Sequence, residues 1–140
     1  MPEMSDGERD AFIEKLRLGV LSTLREDGSP VAVPVWFEWD GRAIRIFSSG
    51  RSGKIARLKR DPRASLLVAN SVGEPEAWVA FDGEMTIKTD GAFELAERLA
   101  GRYWDVTDAE RRATLNLWRR IAPSLRLLEL VPTRIHTSTS

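Results

Sequence analysis

The segment "SSGRSGKIARLKRDP", Ser48 to Pro62, holds the residue types and spacing best suited to gripping an anion. An alternating stretch ends at Ser48 and Ser49, Gly50 and Gly53 let the backbone turn and approach a ligand, and a helical pattern begins near Ser52. The first turn of a helix carries N–H groups without intrahelical partners and a partial positive charge. A phosphate placed there gains hydrogen bonds and Coulomb energy together. Arg51 and Lys54 add full charges, and Ser49 and Ser52 add hydroxyls. Lys59, Arg60 and Arg63 fall at the far end of the same helix, where basic side chains complement the negative end of the dipole and need no ligand. From residue types alone, a solvated basic face accounts for the run equally well. It is not a Walker A loop, because "GRSGK" lacks the G-x-x-x-x-G-K-[ST] spacing, and it does not fit the G-x-G-x-x-G of a dinucleotide unit.

Other chemistry is thinly represented. His136 is the only histidine, which disfavours a multi-histidine metal site, and the absence of cysteine excludes a thiol nucleophile, a cysteine-ligated metal and a disulfide. Tyr103 and His136 are the conventional acid–base candidates, and both read as packing or surface residues, so no general acid or base is named. Trp36, Trp39, Trp78, Trp104 and Trp118 could line a pocket, yet large aromatics also dominate cores and interfaces. Trp39, Trp104 and Trp118 are assigned to packing. Lys and Arg number 21 and Asp and Glu also 21, so no global field draws in nucleic acid or anionic lipid, and neither is an expected partner. The opening "MPEMSDGERD" lacks a secretory signal and no segment approaches the roughly 20 apolar residues of a membrane span, so the expected location is the cytoplasm.

The elements that must position the basic turn follow from periodicity. Residues 6 to 18 read as an amphipathic helix. Three antiparallel strands are expected at about 19 to 25, 31 to 38 and 43 to 49, joined at Asp27-Gly28 and Asp40-Gly41, with Pro34 marking an edge, a bulge or an opening of the sheet. After the basic helix, "RASLLVAN" and "EAWVAFDGEMTIKT" give two more strands. "AFELAERLAGRYW" has helical period, and Thr107 with Glu110 forms a capping-box pattern that opens a further helix to about Ala122. A last strand, "SLRLLELVPTRIHTS", is interrupted at Pro132. The order αβββαββααβ, with hairpin connections, predicts one domain over residues 1–140, mainly β with helices in the α+β sense, built as a small antiparallel barrel.

The succession "GVLSTLREDGSPVAVPVWFEWDG", "IRIFSSGRSGKIARLKRDPRASLLV" and "WVAFDGEMTI" resembles the pyridoxamine 5'-phosphate oxidase-like split-barrel superfamily, and looks most like its branch of small flavin- or deazaflavin-dependent oxidoreductases. The likeness spans roughly residues 10 to 90, with "LLELVPTRIHT" similar to the closing strand. It implies an antiparallel split β-barrel that is a homodimer with cofactor sites at the interface. It also implies that the backbone of Val33, Pro34, Val35 and Trp36 lies against the cofactor ring, and that Ser48, Ser49, Arg51, Ser52 and Lys54 hold its phosphate. Trp78 falls where family members present a residue from the partner subunit. The oxidases themselves carry Arg and Lys where this chain has Val33 and Glu38, and only Arg134 and His136 stand near their late substrate-binding residues, so vitamin B6 oxidation is not expected.

The implied cofactor is the deazaflavin coenzyme F420, preferred over flavin mononucleotide (FMN). Its carboxylate-bearing tail would favour extra cations, for which Arg51, Arg57, Lys15 and Arg17 are candidates. The implied activity is hydride transfer between the bound cofactor and a small organic substrate, carried by the cofactor ring. The alternative is a non-enzymatic flavin- or haem-binding store or sensor.

Overall fold

Period-two alternation of apolar residues builds eight strands among the described residues. The computed structural model describes residues 2–139. Within them lie β1 (Gly19–Leu24), β2 (Pro30–Val35), β3 (Glu38–Trp39), β4 (Ile44–Ser49), β5 (Arg63–Ala69), β6 (Ala77–Lys88), β7 (Leu125–Leu130) and β8 (Arg134–Thr139). The helices are α1 (Asp6–Glu14), α2 (Gly53–Arg60), α3 (Ala92–Tyr103) and α4 (Ala109–Arg120), with a 3-10 turn at Ala122–Ser124. This is the mixed α+β architecture expected: a curled antiparallel sheet in the form of a split barrel, carrying four helices.

All strand pairs are antiparallel, in the order β2-β1-β5-β6-β7-β4-β3. The long β6 holds the curl together. Its first half, Ala77 to Asp82, pairs with β8, and its second half, Met85 to Lys88, pairs with β7. Gly83 sits at the switch between partners. A Cβ there would lie 2.8 Å from Leu130 Cδ1 and 3.2 Å from the Val131 carbonyl, so any side chain would force its neighbours to shift. Pro34 stands on β2, at one end of the strand order, where a missing N–H deprives no second neighbour. The edge reading of that proline holds.

Inward-facing Leu21, Leu66, Val68, Val79, Phe81, Ile44, Ile46, Leu128 and Leu130 fill the curl, and Ile55 and Leu58 of α2 plug it. A second cluster forms where Leu95 and Leu99 of α3 meet Leu125 and Leu127, with Trp36, Phe47, Phe93, Tyr103 and Trp118 packed against it.

Several boundaries differ from the sequence reading, each for a tertiary or capping reason. The first helix stops at Glu14 rather than residue 18, because Arg102 Nη2 donates to the carbonyls of Ile13, Glu14 and Lys15 at 3.3, 3.0 and 3.2 Å and so satisfies its last turn from outside. The second strand ends at Val35, since Trp36 and Phe37 part toward the two different clusters. Thr107 does not cap α4. Its N–H and hydroxyl both donate to Asp105, while Asp108 is the N-cap and accepts from Arg111 N at 3.1 Å. The capping box lies instead on α1, where Glu8 N donates to Ser5 Oγ and Ser5 N to Glu8 Oε1, both at 3.1 Å.

Candidate functional site

The turn between β4 and α2 is organised by its own serines. Ser48 Oγ donates to the Ser49 carbonyl at 3.1 Å and lies 2.6 Å from Ser52 Oγ, so the Ser52 hydroxyl is the donor of that second bond. Ser52 is the N-cap of α2 but its side chain makes no capping bond, and the first turn carries no acidic residue. The helix start therefore remains unfilled by the usual side-chain acceptor. Arg51 N donates to Ser49 Oγ at 3.2 Å, and Gly50 N to the Ser124 carbonyl at 2.8 Å, which pins the turn to the 3-10 segment.

Cations gather at this helix start. Lys54 is half-buried, and burial, reinforced by the neighbouring Arg57, lowers its pKa below the ordinary lysine value. Arg57 folds back along α2: its Nη1 lies 2.8 Å from where a Cβ on Gly53 would stand. Its Nε donates to the buried Thr23 Oγ1 at 2.8 Å, so the head is fixed from the β1 side. Arg51 is exposed on the turn.

Beside the turn, where the sheet fails to close, lies a cavity of about 490 Å3 lined by Leu18, Pro34, Val35, Trp36, Ile46, Phe47, Lys54, Trp104 and Trp118. Its walls are largely aromatic. Trp36 lies edge-on to Trp104 at 4.7 Å between ring centroids, Trp104 stacks on Trp118 at 5.5 Å, and Trp118 is 5.2 Å from Phe47. Behind Trp36, Tyr103 stacks parallel at 5.2 Å and donates its hydroxyl to the Arg17 carbonyl at 2.6 Å. Burial raises the Tyr103 pKa, against a smaller opposing effect of the Phe37 backbone N–H. Tyr103 is thus a packing residue.

Of the residues singled out from sequence, Pro34, Val35, Trp36 and Lys54 line this one cavity, and Ser48, Ser49, Arg51, Ser52 and Arg57 surround the helix start next to it. Val33 packs its side chain against the barrel core and offers this side only its backbone. Trp78 lies on β6 between Ala69 and Ser138, with β1 and β5 separating it from β2, and does not line the cavity of its own chain.

Two of the extra cations proposed for a cofactor tail are placed elsewhere. Arg17 has a side chain only 4% exposed, donates to both carboxylate oxygens of Glu74 at 2.6 and 3.2 Å, and stacks on Phe12. Its role is structural, and the same bond first of all holds the Glu74 carboxyl at about 2. Lys15 lies 4.0 Å from Glu74 as well. At the other end of α2, Arg63 is clasped by Asp61, Arg60 donates to the Leu24 carbonyl, and Lys59 is exposed. Glu38, at the position where the oxidases resembled carry lysine, is held by Arg98 at 2.8 Å. His136 pairs with Asp82 at 2.7 Å, which also accepts from Ser65 Oγ, on strands away from the cavity.

The sequence reading missed Leu18, Ile46, Phe47, Trp104 and Trp118 as cavity residues. For Trp118 a signal existed: a tryptophan on a helix as rich in charge as α4 needs a surface to cover.

Residues 5–138 match the sequence model of a family described as pyridoxamine 5'-phosphate oxidase. Among curated proteins, a biliverdin reductase of Mycobacterium tuberculosis (strain CDC 1551 / Oshkosh), dependent on reduced coenzyme F420, is 31% identical over 124 residues, which cover 85% of this chain and 88% of the relative. A solved structure of a conserved hypothetical protein from Mycobacterium tuberculosis superimposes with a TM-score of 0.79 at 24% identity, covering 97% of this chain and 85% of that one. A solved F420 reductase superimposes with a TM-score of 0.74 at 22% identity, covering 96% and 98%.

Proposed function

The chain belongs to the pyridoxamine 5'-phosphate oxidase family, and from that premise we propose that it is a deazaflavin-dependent oxidoreductase, transferring hydride between bound coenzyme F420 and a small organic substrate. One observation carries the reading. An anion-ready turn, rich in cations and without an acidic residue in the first turn of its helix, opens directly onto an aromatic cavity, and Lys54 belongs to both.

The residues fit such a group. The Ser49 hydroxyl, Arg51, Lys54 and the open start of α2 would take the phosphate, while Ser48 and Ser52, whose hydroxyl protons are spent within the turn, would shape it. Pro34, Val35 and Trp36 offer a flat wall to a tricyclic ring, and Pro34 has no N–H to be left unpaired beneath it. Trp104 and Trp118 shield the opposite side from water. When bound, the cofactor supplies the hydride chemistry, and the protein supplies position and a dry surface. F420 is favoured over FMN by the cofactor named for the curated relative and by the cations beyond Lys54 at the turn.

The same reading makes the active protein a homodimer in which Trp78 reaches the partner's cavity. The register supports a second copy on the outer face of β2, β1, β5 and β6. Pro34, Val20, Leu67 and Ala80 stand side by side there, with Val20 36% and Leu67 40% exposed.

An absorbance titration with F420 and with FMN tests the proposal, and failure of both to bind at micromolar concentration refutes it. The non-enzymatic reading draws on Lys54 being, among the described residues, the one titratable side chain that lines the cavity. Stopped-flow oxidation of the reduced, bound cofactor that depends on an added acceptor would remove that reading.

A further inference from the structure

Three successive carbonyls, those of Pro123, Ser124 and Leu125, form a bracket at the end of the 3-10 turn. Ser124 O accepts the Gly50 N–H at 2.8 Å. Pro123 O and Leu125 O both accept from a single nitrogen, Nη1, of Arg126, at 2.9 and 2.8 Å. The anion turn and the Arg126 head are therefore fixed to the same short piece of backbone. The register adds to this, because Arg126 of β7 stands directly opposite Ser48 of β4 and so on the same face of the sheet. A Cβ on Gly50 would lie 2.8 Å from Ser124 O and 3.6 Å from the Arg126 guanidinium carbon. Glycine at that position is what lets turn, bracket and guanidinium come together.

The head so fixed is not neutralised. Among the described residues Nε and Nη2 of Arg126 donate to no protein acceptor, and no carboxylate lies within ion-pair distance of it. An arginine whose conformational freedom is already spent, with donors still open, is pre-organised for a planar anion such as a carboxylate. Position orders the two cations along a ligand. Lys54 lines the cavity and Arg126 does not. A molecule running from the cavity out through the turn meets Lys54 with its nearer anionic group and Arg126 with a more distal one.

We propose that Arg126 binds a carboxylate of the cofactor's tail beyond the phosphate, and that this contact selects the deazaflavin coenzyme over FMN, which ends at its phosphate. The proposal rests on reading the cavity and turn as a cofactor site. Its test is a pair of titrations, with F420 and with FMN, on the wild-type chain, R126Q and R126K, each with its thermal midpoint. Loss of one charge-assisted bond weakens F420 binding by about tenfold or more in R126Q, while FMN affinity changes less than about twofold. R126K, which keeps the charge but not the fork, recovers part of the F420 affinity. Equal losses for both cofactors, or no loss for F420, overturn the selection. A loss for both that tracks a fall in thermal midpoint assigns Arg126 to the bracket alone and overturns it too. Wild-type protein that binds neither cofactor refutes the cofactor site itself, and wild-type protein that binds FMN alone refutes only the selection.

Discussion

Replacing Lys54 by alanine tests the proposed phosphate contact separately from the fold. The side chain is half-buried, lines the cavity, and has a pKa set by burial and Arg57 with no carboxylate or hydrogen-bond partner contributing. Its removal therefore breaks no internal ion pair, relieves a like-charge contact, and should leave the thermal midpoint unchanged or slightly raised. A charge-assisted hydrogen bond to an anion is worth about 1.5–3 kcal/mol, which corresponds to a loss of about 10- to 150-fold in cofactor affinity. The same geometry fixes a pH dependence. Lys54 titrates below the ordinary lysine value in the free protein, and a bound phosphate favours its charged form, so binding retains a proton. Affinity should be full below the free-protein pKa and fall as pH rises through it, and K54A should flatten that alkaline decline. Calorimetric titration of wild type and K54A across neutral and alkaline pH measures both effects. Unchanged affinity in K54A, or an alkaline decline of equal steepness, would show that the phosphate sits elsewhere.

Three further outcomes follow from other parts of the molecule. Gly83→Ala forces a Cβ against Leu130 and the Val131 carbonyl, and should destabilise the chain by about 1–3 kcal/mol in denaturant titration; an unchanged midpoint would mean that the switch between β7 and β8 is looser than its geometry. Glu74→Gln strips the buried Arg17 of its charged partner. Because the Glu74 carboxyl is held at about 2 rather than 4.5, its contribution is present above about 4.5 and lost as pH falls toward 2, so the variant should melt lower at neutral pH and lose less on acidification. Leu67→Glu places a charge in the outer apolar row and should convert the proposed homodimer to monomers by light scattering; a dimer that persists would move the interface to another face, and a monomeric wild type would refute the homodimer itself.

The strands and the turn from β4 into α2 are legible in sequence because each depends on local signals. Period-two alternation, Asp-Gly turns and the Gly-Ser-Lys spacing before an apolar helical stripe are all read within a few residues of where they act. The missed features depend on residues far apart in the chain. Nothing near Glu14 says that α1 must end; its cap is Arg102, 87 to 89 positions on. Arg17 resembles any surface cation until Glu74 is brought against it. Thr107 with Glu110 satisfied the capping pattern, yet Asp105 two residues earlier competed for the threonine and left Asp108 to cap. Trp104 caps the end of α3 and Trp118 lies on α4, so their meeting over the cavity has no signature in either segment alone.

The exit from β2 explains why the ring wall and the anion turn coincide. At Val35 the strand ends and consecutive side chains part: Phe37, 1% exposed, anchors in the barrel core, while Trp36 enters the aromatic cluster under α3 and α4. Two anchors of opposite direction hold the strand end as a rigid edge, which is what a wall for a flat ring requires. Across the open seam, β4 delivers Ile46 and Phe47 to the same cavity and then runs straight into the turn that starts α2, itself wedged into the barrel by Ile55 and Leu58. The wall and the turn are thus fixed by the core. By contrast, α4 buries no residue and brings only Trp118 to the cavity. Substitutions along α4 can therefore reshape the outer side of the cavity at little cost to the barrel, so under the proposed function the fold would separate the part that holds the cofactor from the part free to vary with the substrate.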